Sequence, residues 1–139
     1  MKGKTLAEIK IGDSASTALT ITETHVVSFA GIIGDFNPVH LDDVAAKNSM
    51  FKGRISHGML VGSLFSSILG MQLPGVGTIY LGQELKFLKP VYLNDTITAT
   101  VTVKEIIAEK NRVILDTVAV NQNGESVVVG TATVMPPRE

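Results

Sequence analysis

The densest cluster of polar side chains lies in residues 34–40, where Asp35, Asn37 and His40 surround Pro38. A regular helix cannot hold Asp35 and His40 together across this proline, which lacks an N–H and favours extended backbone before it. A tight loop can turn both side chains toward one point. An imidazole is the usual general base near neutral pH, and a carboxylate can orient it, share a water with it or act as the acid. The spacing indicates acid–base chemistry, but it also fits a capped turn followed by a packed histidine.

A second feature is the pair His57-Gly58, which begins a long apolar segment. The first N–H groups of a helix lack carbonyl partners, and the helix dipole is positive there, so the N–H of Gly58 can receive a developing oxyanion. The simpler interpretation is that His57 opens the helix and Gly58 belongs to its packing surface. Ser63, further along, can bond to a catalytic group or donate back to a helix carbonyl.

Other kinds of site find little support in the sequence. His25, His40 and His57 are scattered, and no His-Glu-x-x-His is present, so we predict no metal site. The chain has no cysteine, which excludes a disulfide, a thiolate ligand and a cysteine nucleophile. It also lacks a Gly-x-Ser-x-Gly elbow and a glycine-rich phosphate loop after a strand.

The elements that position these residues are mostly helical in the first half of the chain. The pattern predicts a strand over 16–22 and then a helix that Thr22 or Thr24 caps and that runs to about Ile33. A glycine follows that helix, as is common at helix ends. A short helix is expected to restart at Asp42.

The segment 57–72 is apolar on nearly all sides, which predicts a buried helix. Gly58, Gly62, Ser66 and Gly70 recur every four residues and so form a ridge of small groups on one face. Because glycine inside a helix costs about 1 kcal/mol relative to alanine, we expect the close approach of another backbone to offset that cost.

The second half of the chain alternates like strands. Four runs are separated by short turns, and they cover about 77–87, 96–107, 112–120 and 126–135. Long consecutive strands with short turns predict an antiparallel meander. The predicted fold is therefore α+β, with one long central helix wrapped by an antiparallel sheet of about five strands.

Composition limits the class of protein. The 139 residues, of which 45% are hydrophobic, fit a single domain spanning 1–139. With 12 basic and 13 acidic residues the net charge is −1, which argues against a nucleic-acid partner. Only 18% of the residues are charged, and sheet edges tend to pair with a copy of themselves, so we expect a homodimer or higher homo-oligomer.

The sequence shows no sign of a membrane segment. The N-terminus lacks the apolar run of a signal peptide, and the longest apolar stretch, 58–73, falls short of the ~20 residues that span a bilayer. We therefore expect a cytoplasmic protein with no membrane partner.

Residues 34–40, which read Gly-Asp-Phe-Asn-Pro-Val-His, resemble the hydratase motif of the MaoC-like family. More closely, the sequence resembles the short (R)-specific enoyl-CoA hydratases of bacteria. The likeness continues at 57–60 (His-Gly-Met-Leu), 63–65 (Ser-Leu-Phe), 72–75 (Gln-Leu-Pro-Gly) and 79–83 (Ile-Tyr-Leu-Gly-Gln). The resemblance covers most of the chain and implies a hot-dog fold, in which a curved antiparallel sheet wraps a long helix and two copies usually associate.

The resemblance also implies a reaction, the reversible addition of water to a trans-2-enoyl-CoA to give an (R)-3-hydroxyacyl-CoA. Asp35 and His40 match the catalytic pair that holds one water, and the N–H of Gly58 matches the oxyanion donor. Asn37 matches the motif asparagine, and Ser63 matches a position thought to orient the pair. The implied enzyme is a hydro-lyase that needs no cofactor, since coenzyme A is part of the substrate.

Three alternatives share parts of this pattern. An acyl-CoA thioesterase can use the same fold with a carboxylate near a helix N-terminus, because a fold does not determine a function. A dehydratase of 3-hydroxyacyl carrier-protein substrates would use the same residues and differ in its partner surface. A non-catalytic acyl-CoA-binding module is the third, and the intact pair Asp35 and His40 argues against it.

Overall fold

The computed structural model describes residues Met1–Glu139. Its strands are β1 (Ser14–Thr20), β2 (Ile79–Phe87), β3 (Thr96–Ile107), β4 (Arg112–Val120) and β5 (Ser126–Met135). They form one antiparallel sheet in the order β1-β3-β4-β5-β2, so β1 and β2 are its two edges. The predicted sheet of about five antiparallel strands is confirmed.

Five helices lie between β1 and β2 in the chain. They are α1 (Glu23–Ile33), α2 (Pro38–Leu41), α3 (Asp43–Lys47), α4 (Gly58–Gly62) and α5 (Leu64–Met71), with 3-10 turns at Leu6–Glu8 and Ala108–Lys110. Helix α1 begins after Thr22, whose hydroxyl accepts the N–H of His25, and ends at Gly34 in the left-handed region at φ 80°. Both ends of α1 agree with the prediction. Helix α2 was not predicted.

The prediction of one long central helix over 57–72 is wrong in one respect, because the helix is interrupted at Ser63. The hydroxyl of Ser63 donates to the carbonyl of Leu60 at 2.5 Å. A serine that bonds to the preceding turn can bend a helix, but Ser67 makes the same kind of bond to Leu64 within α5 without a break. The bond of Ser63 therefore accompanies the interruption without explaining it. The element is two short helices, α4 and α5, that follow each other directly.

The glycine ridge also differs from the expectation that a backbone approaches it. A methyl group placed on Gly58 would lie 2.5 Å from the ring of Phe87, and one on Gly62 would lie 2.9 Å from Leu85. Side chains of β2, rather than main chain, fill these gaps. A methyl group on Gly70 would meet nothing within 4 Å, so no close contact in the single chain requires glycine there.

The core lies between one face of the central helices and the inner face of the sheet. Phe65, Ile68 and Leu69 of α5 are fully buried against strand residues that include Val101 and Leu115. The opposite face of these helices is open, so the expectation that this segment is buried on all sides does not hold for the single chain. No helix has the length and the apolar character that would let it cross a bilayer.

Candidate active site

The loop between α1 and α2 presents Asp35 because of local capping. Asn37 precedes Pro38, the first residue of α2, and its side-chain oxygen accepts the N–H of Val39 at 3.3 Å. Proline at the first helical position needs no N–H partner, and asparagine is a preferred cap. The carboxylate of Asp35 accepts the N–H of Asn37 at 3.2 Å, which orients the acid within this loop. Asn37 therefore shapes the loop that carries the acid.

The structure brings Asp35 and His40 together, as the sequence predicted. Oδ2 of Asp35 lies 3.8 Å from Nε2 of His40. This gap is longer than a direct hydrogen bond and lets one small oxygen-containing molecule contact both groups. The side chain of Asp35 is 47% exposed, whereas that of His40 is only 10% exposed. The acid therefore faces solvent, and the imidazole forms the floor of the site.

The tautomer of His40 follows from its main-chain partner. Nδ1 lies 2.8 Å from the carbonyl oxygen of Ile55, and a carbonyl can only accept, so Nδ1 carries the proton. Nε2 therefore keeps a free lone pair on the side that faces Asp35. A neutral imidazole held in this way is suited to act as a general base.

Arg54 fixes the helix that carries His40. Its guanidinium donates to the carbonyl oxygen of His40 at 2.8 Å and pairs with Glu23 at 2.6 Å and with Asp43 at 3.6 Å. The Arg54 side chain is buried, and these contacts join α1, α2 and α3. The position of the imidazole is thus set by groups from three helices.

His57 lies against Asp35 and His40, and the three residues form one cluster. No chemical role was predicted for His57. Its Nε2 donates to the main-chain carbonyl of Asp35 at 3.0 Å. Its ring stacks on that of His40, with centroids 3.8 Å apart and planes inclined by 27°. The sequence signals for this residue were its place directly before Gly58 and its membership of the 57–60 stretch that resembles the family. Neither shows its contacts, because its partners come from a distant part of the chain.

Gly58 is the first residue of α4, so its N–H has no partner within the helix. It lies beside the stacked imidazoles and lines a pocket of about 430 Å³ together with Ile55, Met59 and Phe87. The carbonyl of Ile55 is the one that binds His40, so this pocket adjoins the acid–base pair. The predicted oxyanion donor therefore has a free N–H at the edge of an apolar pocket.

Ser63 lies along the helix from this pocket, and its hydroxyl bonds to its own helix. This is the second of the two arrangements that the sequence left open. Ser63, Met59 and Tyr80 are among the residues that line another pocket of about 430 Å³. Burial raises the pKa of Tyr80 above its usual value of 10.0, and its hydroxyl donates to Oε1 of Gln83. An orienting role of Ser63 stays a prediction.

Asp35, His40 and His57 offer ligand atoms within 4.8 Å of one another, which raises the question of a metal ion. Nε2 of His57, however, carries a proton that it donates to the Asp35 carbonyl. A ring nitrogen that carries a proton has no lone pair for a metal ion, so Nε2 of His57 is not a ligand in this arrangement. As arranged, this donor set fits proton transfer better than metal coordination.

Comparison with known proteins agrees with the fold and the motif. The family model described as MaoC like domain matches residues 7–125. The chain is 47% identical over 130 residues to an (R)-specific enoyl-CoA hydratase of Rhodospirillum rubrum, covering 94% of this chain and 90% of that protein. It is 42% identical over 129 residues to an (R)-specific enoyl-CoA hydratase of Aeromonas caviae, covering 93% of this chain and 96% of that protein.

The solved structure of R-hydratase PhaJ1 from Pseudomonas aeruginosa superposes with a TM-score of 0.94 at 44% identity, covering 99% of this chain and 88% of that one. This likeness confirms the hot-dog fold that the sequence resemblance implied. Because the family model spans most of the chain and these relatives align over nearly their whole length, the chain belongs to the MaoC-like family.

Proposed function

We propose that this chain is an (R)-specific enoyl-CoA hydratase, a hydro-lyase that reversibly adds water to a trans-2-enoyl-CoA. The observation that carries the proposal is the gap of 3.8 Å between Nε2 of His40 and Oδ2 of Asp35, beside a free helix N–H. The relatives that align over nearly the whole chain bear the same activity in their names.

In this proposal one water lies between Asp35 and His40. The lone pair of Nε2 of His40 accepts a proton as the water oxygen bonds to C3 of the substrate. The electron pair of the double bond moves toward the thioester, whose oxygen gains negative charge and accepts the N–H of Gly58. Asp35 and His40 together then return a proton to C2 of the substrate. One water has then been added to the double bond, and both residues have their original protonation states again.

General acid–base help contributes about 10²–10⁴-fold to such a step. A single oxyanion donor contributes about 3–4 kcal/mol. Positioning of the water and the thioester has to supply the remainder. No cofactor enters this scheme, because the thioester itself withdraws electrons from the double bond.

We further propose that two copies of the chain associate through β2 and the open face of the central helices. Strand β2 is an edge strand, and large apolar side chains are exposed on and just after it (Ile79, Leu81, Phe87 and Leu88). Met59 and Met71 are exposed on the adjoining helix face. Unpaired edges and contiguous apolar surface are features that native proteins cover with a partner.

The test mixes the purified protein with crotonyl-CoA and follows the loss of the enoyl-thioester absorbance. The product is then offered to (R)- and (S)-specific 3-hydroxyacyl-CoA dehydrogenases. Turnover with a response from the (R) enzyme alone is the expected result. Release of free thiol from saturated acyl-CoA would indicate a thioesterase. Turnover restricted to enoyl groups on acyl carrier protein would indicate the carrier-protein dehydratase.

A further inference from the structure

His57 is the buried polar group that the proposed reaction leaves unused. Its side chain is only 2% exposed, and its Nδ1 is buried without any hydrogen-bond partner. Buried polar atoms are nearly always paired, so an exception calls for an explanation. An apolar residue of similar size would avoid this exception, which suggests that the ring has a role beyond packing.

The other nitrogen of the His57 ring and one ring face contact the proposed catalytic residues. Nε2 donates to the carbonyl of Asp35 at 3.0 Å, and the same nitrogen lies 4.0 Å from Oδ2 of that residue. One face of the ring stacks on His40 at a centroid distance of 3.8 Å. Phe29 meets the ring edge-on at 5.2 Å, which limits its movement.

The ring also has a defined protonation pattern. The carbonyl of Asp35 requires a proton on Nε2 of His57. A second proton on Nδ1 would be buried with no acceptor, so the structure favours the neutral Nε2–H form. His40 therefore stacks on an uncharged ring, and no fixed positive charge opposes the proton that it accepts.

We propose that His57 is a positioning residue that holds both members of the catalytic pair. Its N–H fixes the main chain of Asp35, and its ring supports the imidazole of His40. The proposal rests on the proposed function for the roles of Asp35 and His40. It predicts that the turnover number depends on His57, while substrate binding depends on it little.

The kinetic test compares His57→Gln with His57→Asn. Both side chains are neutral amides that lose the stacking, but only glutamine places an N–H near the position of Nε2. Since a displacement of about 1 Å costs up to about 10²-fold, we expect His57→Asn to lower kcat about 10²-fold with little change in KM. We expect His57→Gln to recover about tenfold of this loss through the restored bond to Asp35.

The matched control is His25→Gln. This histidine accepts the N–H of Thr22 at the start of α1. A similar change there tests the general effect of losing an imidazole, and kcat is expected to stay unchanged. Circular dichroism gives the folded fraction of each variant, and kcat is calculated per folded molecule. Equal kcat values in the Gln and Asn variants of His57, or losses that merely follow thermal stability, would overturn the proposal.

A second readout does not depend on activity. Nitrogen chemical shifts of ¹⁵N-histidine-labelled wild-type protein report the tautomer of each imidazole. We expect His57 as the neutral Nε2–H form, and either the Nδ1–H form or the imidazolium would overturn the proposal. If the Asn variant does not fold, this spectrum and the kcat of His57→Gln decide. A wild-type protein without hydratase activity would contradict the proposed function, and the spectrum would still test the assigned tautomer.

Discussion

Two regions of the molecule differ in whether their side chains find partners within the chain. One is the cluster of Asp35, His40 and His57, and the other is the edge strand β2. In the cluster, His40 donates to the main-chain carbonyl of Ile55, and His57 donates to that of Asp35. Strand β2 instead leaves apolar side chains such as Leu81 in solvent. The proposed acid–base groups thus find their polar partners within one chain, whereas the apolar surface of β2 is uncovered in the single chain.

This difference has a physical basis. A buried polar group needs a partner at a defined distance and angle, which only a rigidly connected chain can supply reliably. Apolar contact is not directional, so a second copy can supply it after folding. Substitutions in the cluster should therefore change the proposed chemistry, whereas substitutions on β2 should change the proposed association of two copies.

The largest effect is expected from the catalytic pair. Asp35→Asn and His40→Ala should each lower the rate of crotonyl-CoA hydration by about 10²–10⁴-fold, because each removes an acid–base group. Asp116→Asn is the control for the carboxylate, since Asp116 is exposed on β4 and its only ion pair is with Lys104. Near-normal activity of the Asp35 or the His40 variant, with a normal far-ultraviolet spectrum, would mean that the role is assigned to the wrong residue.

The shared surface is tested by Leu81→Lys on β2. The wild-type protein should sediment at about twice 14.8 kDa, and the variant should approach 14.8 kDa because a charge at the edge opposes pairing. Ile11→Lys is the control, since Ile11 is equally an exposed apolar residue but lies before β1. A variant of Leu81 that stays dimeric in sedimentation velocity runs would place the interface elsewhere.

A smaller effect is expected at the contact between the two regions, where Gly58 meets Phe87. Gly58→Ala would bring a methyl group to 2.5 Å from the Phe87 ring, and overpacking of this kind costs about 1–3 kcal/mol. Phe87→Ala should relieve the clash, so the double variant is expected to unfold at higher denaturant than the simple sum of the two changes predicts. Additive changes would show that this contact is not the reason for glycine.

The smallest change in kcat is expected for Ser63, whose hydroxyl either bonds only to its own helix or also orients the catalytic pair. Ser63→Ala is compared with Ser67→Ala, because both hydroxyls donate to a carbonyl three residues earlier on the central helices. If Ser63 also orients the catalytic pair, its loss should lower kcat about fivefold, in line with about 1 kcal/mol for one hydrogen bond. The same kcat in both variants would leave Ser63 with its bond to the helix carbonyl alone.

Local features of the chain were readable from the sequence because they depend on neighbouring residues. The left-handed end of α1 at Gly34 and the turn at Asn37 and Pro38 each follow from the conformational limits of one or two residues. The strands after Gly75 were predicted nearly to the residue, since alternation and turn residues recur within short windows. The motif in 34–40 likewise identified Asp35 and His40 as a pair.

Tertiary structure alone decided the features that depend on distant parts of the chain. Nothing near His57 in the sequence shows that it bonds to Asp35 and stacks on His40, which are 22 and 17 positions away. The side chains of β2 that fill the ridge at Gly58 were also invisible, because β2 follows the helices by many residues. The sequence thus determined which chemical groups are present and how the chain turns locally. The fold determined which groups meet, because hydrogen bonds and ring stacking require distances and angles that only the packed chain sets.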